Sequence, residues 1–291
     1  MTAAARARCV ADAGGADPDA DGLAAVEPVA VLVLARAAAE LEPVALAELG
    51  AAALLERHDT KYLLPAAELP ALLRLCAGQY RALEVGGVRL PRYHTVYLDT
   101  PDLALYHAHH AGRLPRVKAR VRSYVDAGTH FLEVKRKANT GRTSKLRAVL
   151  RTPADALADP AARALLAAAG LDPRRLRETA SVRYRRLTLV ARGRAERVTI
   201  DVGLVLSAAG RAAEFGGLAI VEVKQPRPGR SPCVEALRAL GARQASVSKY
   251  CLTVAALVER AKTNRYKPVL RLVYRTTHRT TYSDARLAPA R

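Results

Sequence analysis

Two short stretches set a carboxylate and an ammonium group two positions apart: FLEVKRK at 131–137 and IVEVKQP at 220–226. Both have the composition of strands, and in a strand residues i and i+2 point to the same side. Glu133 therefore shares a face with Lys135, and Glu222 with Lys224. Such a pair suits a phosphorylated ligand. The ammonium group takes phosphate oxygens, and the carboxylate holds a divalent metal that bridges them.

The same parity recurs along the chain. Asp59 and Lys61 share a face, as do Lys118, Arg120 and Arg122, and then Lys145 and Arg147. Tyr184 and Arg186 share another, and Arg197 lies with Thr199 and Asp201. On one strand this is what any half-buried antiparallel sheet shows, with its charges turned to water. Over seven strands the rows are dominated by Lys and Arg with few acids, which favours cations converging on a lumen. Buried cations need anions to pair with them, and a polyphosphate or a nucleoside triphosphate supplies those.

The elements that must carry these rows can be read from the sequence. Strands are expected at 92–100, 113–125, 129–137, 144–151, 181–191, 195–208 and 218–226, with a helical, Ala-rich insertion at 154–178. Helical patterns are expected over 29–56, over AAELPALLRLCAG, over SPCVEALRALG and over 246–261. Roughly eight strands joined mostly by short turns, with helices at the ends, predict an antiparallel, barrel-like sheet rather than a βαβ series.

Composition sets the outer limits. The 291 residues carry 47 Lys+Arg against 27 Asp+Glu, a formal charge of +20, which points to an anionic partner. Cys9, Cys76, Cys233 and Cys251 form no CxxC pair, so a zinc site or disulfide framework is not expected and a reducing, cytoplasmic setting is. No run is long and apolar enough for a transmembrane helix. Residues 1–43 are expected to be disordered or partly helical. The stretch 262–291 belongs to a tail with nine Lys/Arg and one acid from Arg260 onward, expected to be solvated.

The ordered set DxKY (59–62), YLDT (97–100), KxRxRxY (118–124), FLEVKRK (131–137), SKxR (144–147), YxR (184–186), RVTID (197–201), VEVK (221–224) and SKYC (248–251) resembles the polyphosphate-polymerase domain of the vacuolar transporter chaperone (VTC) family, within the triphosphate tunnel metalloenzymes. The resemblance runs from about residue 54 to 258. It implies an α+β fold, an eight-stranded antiparallel β-barrel enclosing a basic tunnel, with the domain at 44–261. It also implies transfer of the γ-phosphate of ATP to a growing polyphosphate chain, with Mg²⁺ or Mn²⁺ as cofactor. Lys61, Arg120, Arg122, Lys135 and Arg186 would then be the catalytic cations. Lys118, Lys145, Tyr184, Arg197, Lys224, Ser248 and Lys249 would bind substrate, and Glu222 with Glu133 would hold the metal. Asp59 stands where the family usually has Glu, and Ser246 where another basic residue is common. No inositol-phosphate sensing domain is expected ahead of the barrel.

Two other readings compete. A triphosphatase would use the same tunnel and pass the phosphoryl group to water. A non-catalytic polyanion or RNA binder would need aromatics for base stacking, and the chain has two Phe, no Trp and eleven Tyr. No specific nucleic acid is expected, and a membrane partner protein that accepts the product is left open. The HAHH run at 107–110 reads as a solvated helix face rather than a metal site. Cys251 reads as a small buried residue, and Asp99 either faces the lumen or caps the following helix.

Overall fold

The computed structural model describes residues 29–53, 57–140, 142–227 and 229–284. Residues 1–28, and with them Cys9 and most of the expected N-terminal segment, lie outside the described residues. The chain opens with α1 (Val29–Ala39), the short β1 (Pro43–Ala45), β2 (His58–Pro65), α2 (Leu69–Cys76) and β3 (Tyr80–Glu84). Then follow β4 (Arg92–Asp99), α3 (Ala104–His110), β5 (Arg116–Tyr124), β6 (Thr129–Lys137), β7 (Thr143–Leu150) and α4 (Pro160–Ala168). After these come β8 (Arg177–Ala191), β9 (Arg197–Ala208), β10 (Arg211–Phe215), β11 (Leu218–Gln225), α5 (Pro232–Ala239) and β12 (Arg243–Gln244). Helices α6 (Lys249–Leu257) and α7 (Lys267–Asp284) close the described chain.

Eight of the strands form one run in the order β2-β11-β9-β8-β4-β5-β6-β7, with β12 added beyond β2. β10 pairs with β9, and β3 with β8 and β1. Every pairing is antiparallel except β1–β3. The expected closed barrel is thus an antiparallel sheet whose ladder, among the described residues, stays open between β7 and the β12–β2 edge. Residues of both ends, Thr143 and Asp59 among them, nevertheless line common cavities, so the sheet curls until its ends face one space. Like charges meet there. The Lys145 ammonium is pushed below its ordinary pKa by burial and then by Arg57. Inward-pointing charge is a recognised way to keep an edge from pairing.

Alternation sends the apolar parity outward, under the helices. Leu187, Leu189, Val198, Ile200, Val221 and Val223 pack with α1, α2 and α5, while Val96, Leu98, Val121, Leu132 and Val134 pack with α4. At 25–30 cal/mol per Å² such burial is the main stabilising term. A third cluster occupies one end of the opposite face, where Tyr97, Val182, Tyr184, Leu204 and Leu206 meet Tyr250, Cys251 and Val254 of α6. This contact requires a change of parity within β9, because Asp201 pairs with Arg186 while Leu206 pairs with Val182. The register shift lies between Arg183 and Arg185 on β8, and opposite it Gly203 takes a φ of +60°, a left-handed value that suits glycine.

The C-terminal segment expected as a solvated tail instead continues as α7, which contacts β2 and β11 and buries Val273 and Thr276. Leucine and valine recur at helical spacing in KPVLRLVYR, and that stripe outweighed the high density of cations. Among the described residues no helix is long and apolar enough to cross a membrane.

Candidate functional site

Strand pairing brings the charged parities into register. Lys61 stands opposite Glu222, which stands opposite Thr199. Lys118, Lys135 and Lys145 lie side by side across three strands, and Arg120, Glu133 and Arg147 do the same one step along. Like-charged neighbours at this spacing repel. Burial first, and then Lys145 and Lys61 among its neighbours, hold the Lys135 ammonium below its ordinary pKa. Burial also brings Lys118 down to about 8, aided by Lys61, Lys135 and Arg120.

Two cavities open onto these rows. One, of about 420 Å³, is lined by Asp59, Lys61, His109, Arg116, Lys118, Lys135, Lys137 and Glu222, with Ser246 at its wall. The other, of about 1460 Å³, takes Lys145, Arg147, Arg186, Arg197 and Glu133 together with Tyr93, Tyr124 and Phe131. Asp59, Lys135 and Thr143 line both. The Asp59 carboxylate accepts from Arg57 Nε at 2.8 Å and sits where the two spaces share a wall.

Each acid is held by cations. Glu222 lies 2.8 Å from Lys224 Nζ and 3.7 Å from Lys61 Nζ; burial would raise its carboxyl pKa, but these two ammonium groups hold it well below the carboxylate range. Glu133 accepts from Arg120 Nε at 2.7 Å, and burial is again outweighed, here by Arg120 and Arg122. Asp201, 2% exposed, accepts from Arg186 at 2.5 and 2.8 Å through two nitrogens and is also paired with Lys249. That double contact carries its carboxyl far below the usual range despite burial.

The expected site residues separate into two groups. Lys61, Lys118 and Glu222 line the first cavity, Lys145, Arg186, Arg197 and Glu133 the second, Lys135 both, and Arg120 and Arg122 neither. Others are engaged within the protein. Lys224 is 4% exposed and donates to Thr199 Oγ1 at 2.7 Å as well as pairing with Glu222, so it braces that acid. Lys118 donates to Ser248 Oγ at 2.9 Å, and Ser248 Oγ caps α6 by accepting from Cys251 N. Lys249 is joined to Asp201 and lies 4.6 Å from the Tyr184 ring centre. Tyr184 stacks on Tyr93 at 5.2 Å, with Arg186 5.4 Å from its ring centre.

Sequence reading left out several groups. His109 was assigned to a solvated helix face, yet it lines the first cavity, because the last turn of α3 abuts β5. Tyr93 and Tyr124 join the expected Tyr184 in one row only once β4 is registered between β5 and β8. Asp99 proves to be a cap: its carboxylate accepts from the amides of Thr100, Leu105 and Tyr106 and from the Tyr250 hydroxyl. Cys251 is buried, as expected, at 1% exposure.

Among the described residues four buried side-chain polar atoms have no hydrogen-bond partner: Thr95 Oγ1, His109 Nε2, Arg122 Nε and Arg197 Nε. Two are guanidinium donors on the charged rows, and leaving such a donor unmade costs about 1–3 kcal/mol. A strongly acceptor ligand would remove that cost. A metal is a separate question. No group of three or more His, Cys, Asp or Glu side chains converges among the described residues. The donors fit an ion held by one or two carboxylates and completed by phosphate oxygens and water, which is how Mg²⁺ is usually bound. Glu222 Oε1 has Lys61 3.7 Å away, beyond hydrogen-bond range, and Glu133 is paired through Oε2, so each acid has an oxygen outside its hydrogen-bonded pairs.

The VTC domain profile matches residues 56–258. Similar solved structures include a candidate adenylate cyclase from Bacillus halodurans, with 13% identity, TM-score 0.44, and coverage of 73% of this chain and 97% of that one. Another is a candidate adenylyl cyclase from Hippeastrum, described as having a dominant triphosphatase activity, with 15% identity, TM-score 0.46, and coverage of 70% and 98%. A conserved hypothetical protein from Pyrococcus furiosus matches at 14% identity and TM-score 0.38 over 68% and 99%. No curated protein matches.

Proposed function

Since the chain belongs to the VTC domain family, we propose that it is a metal-dependent polyphosphate polymerase that moves the γ-phosphoryl group of ATP onto the end of a phosphate chain. One observation carries this reading: cations from β2, β5, β6 and β7 converge on two adjoining cavities, where Glu222 and Glu133 are already paired with cations and the buried Arg197 Nε has no hydrogen-bond acceptor. A phosphate chain is the ligand that supplies many acceptors and negative charge together. The cavities are read as one passage, completed across the β7–β2 seam by side chains. The working unit is residues 44–261, acting on cytoplasmic ATP.

In the reaction, a terminal oxygen of the chain forms a bond to the γ-phosphorus, the bond from that phosphorus to the β–γ bridging oxygen breaks, and ADP leaves with the electron pair. The attacking oxygen is already an anion, so no general base is needed. Positioning and charge neutralisation do most of the work. Arg186, fixed by Asp201 and flanked by Tyr93 and Tyr184, is a rigid fork that presents its charge without reorganising. Lys135, and Lys61 held by the Val247 carbonyl at 2.8 Å, present point charges to the chain. When bound at Glu222, Mg²⁺ or Mn²⁺ would neutralise charge developing on the phosphate oxygens.

Purified protein incubated with ATP and Mn²⁺ or Mg²⁺ tests the proposal. Long phosphate chains with matching ADP support it. Orthophosphate without chains transfers the assignment to a triphosphatase, and binding without turnover leaves a polyanion-binding protein.

A further inference from the structure

Past residue 258, where the VTC domain match ends, the chain carries a cationic surface that phosphoryl transfer inside the cavities leaves unused. From Arg260 to Thr276 there are six Lys or Arg and no acid. The apolar side of α7 is already occupied, because Val269, Leu270, Leu272 and Val273 pack on the cluster that includes α6. Its other side presents Lys267, Arg271 and Arg275 to solvent. These lie four residues apart and so share one face, with about 6 Å of rise from each to the next. Among the described residues none of the three is paired with a carboxylate.

The stripe starts beside the first cavity. Arg265 donates from Nη1 to His110 O at 3.1 Å, and its guanidinium lies so close over Gly112 that a Cβ there would stand 2.7 Å from Nη1. The Tyr266 ring packs 5.8 Å from the centres of both Tyr106 and His110. These contacts fix the start of α7 to the last turn of α3, the turn whose His109 lines the cavity. Exposed Arg113 follows in the connection to β5, three residues before Arg116 on the cavity wall. Cations thus continue from the wall, through Arg113 and Arg265, onto the outer face of α7.

We propose that this surface is a second site for the phosphate chain: Arg113, Arg265, Lys267, Arg271 and Arg275 hold the length of chain that extends past the first cavity. The inference rests on the phosphate-chain reading above and adds to it a dependence on length. Tripolyphosphate can be held by the cavity cations alone. A long chain engages both sites, and its second contact is intramolecular once the first is made. A linear polyanion suits cations set at regular intervals, and their exposure makes the added affinity sensitive to salt. A bilayer suits them less well, because the apolar face of α7 that would enter it is spent on the protein's own core.

The test compares the full wild-type chain with the triple variant Lys267→Gln, Arg271→Gln, Arg275→Gln by calorimetry at low salt without metal. The ligands are sodium tripolyphosphate and long-chain sodium polyphosphate. Long-chain affinity of the variant should fall at least tenfold, a part of the roughly 10²–10⁴-fold that linked sites can add. Tripolyphosphate affinity should not move, which also shows that the variant is folded. Arg113→Gln, on a different element, should likewise weaken only the long chain. A control, Arg74→Gln, Arg163→Gln, Arg238→Gln, removes the same charge from exposed positions on α2, α4 and α5 and should leave both affinities near wild type. Vesicles of phosphatidylglycerol and phosphatidylcholine supply the competing partner. If the α7 variant loses vesicle binding but keeps its long-chain affinity, the stripe is a lipid contact and the inference is overturned. Equal long-chain affinities in wild type and variant, or an equal fall in the control, also overturn it and leave the phosphate reading standing. A wild type that binds no tripolyphosphate overturns both.

Discussion

Glu222 and Asp201 are both carboxylates between cations, but they answer to substitution differently. Glu222→Gln keeps the shape and removes the charge a metal needs. Turnover with Mn²⁺ should fall at least 100-fold, while metal-free tripolyphosphate binding, read by calorimetry, should hold or tighten. Asp201 has no such exposure, and its partners Arg186 and Lys249 are themselves only 14% and 13% exposed in their side chains. Asp201→Ala should cost about 3 kcal/mol, the lower end for breaking a buried pair, measured by urea denaturation. Because the folded pKa of Asp201 is depressed, its stabilisation is complete above the unfolded value of about 3.9 and is lost as pH falls below it. Lys118 titrates from the other side. With a pKa of about 8 it is half discharged at that pH, so tripolyphosphate affinity should decline on an alkaline limb that Lys118→Arg displaces upward.

Helix α6 begins where the cation-lined space gives way to the apolar cluster, and Ser248 serves both sides. Ser248→Ala should lower stability by about 1 kcal/mol through the lost cap and should also loosen Lys118, so thermal melting and phosphate affinity should drop together. In β9, Gly203→Ala should cost about 1–2 kcal/mol, since the left-handed backbone penalises a Cβ. At this scale the sequence was most legible in β8 and β9, whose alternation is long, and in β6 and β11, whose acid-x-Lys spacing survives intact. The short strands β3, β10 and β12 carry too few residues for a period to show. Parity correctly put Lys224 beside Glu222, but it could not reveal that Thr199 closes over the ammonium group, which depends on strand order. His109 was misjudged for a related reason: a helix of seven residues shows which side chains share a turn, not which turn meets the sheet.

Across the whole molecule, a net charge of +20 supports long-range attraction of anionic chains. Association rates for long polyphosphate should fall steeply between low and physiological salt, as exposed charges become screened, while dissociation of tripolyphosphate should change less. The inward-facing cations have a second effect. Lysines lying abreast on β5, β6 and β7 push against one another in the fold itself, and the unfolded chain relieves that strain by separating them. A bound polyanion acts like the missing half of an internal salt. At a hundredfold excess over its dissociation constant it would add about 2.7 kcal/mol of stability, so melting temperature should climb with chain concentration, and the protein should be at its most fragile when starved of phosphate.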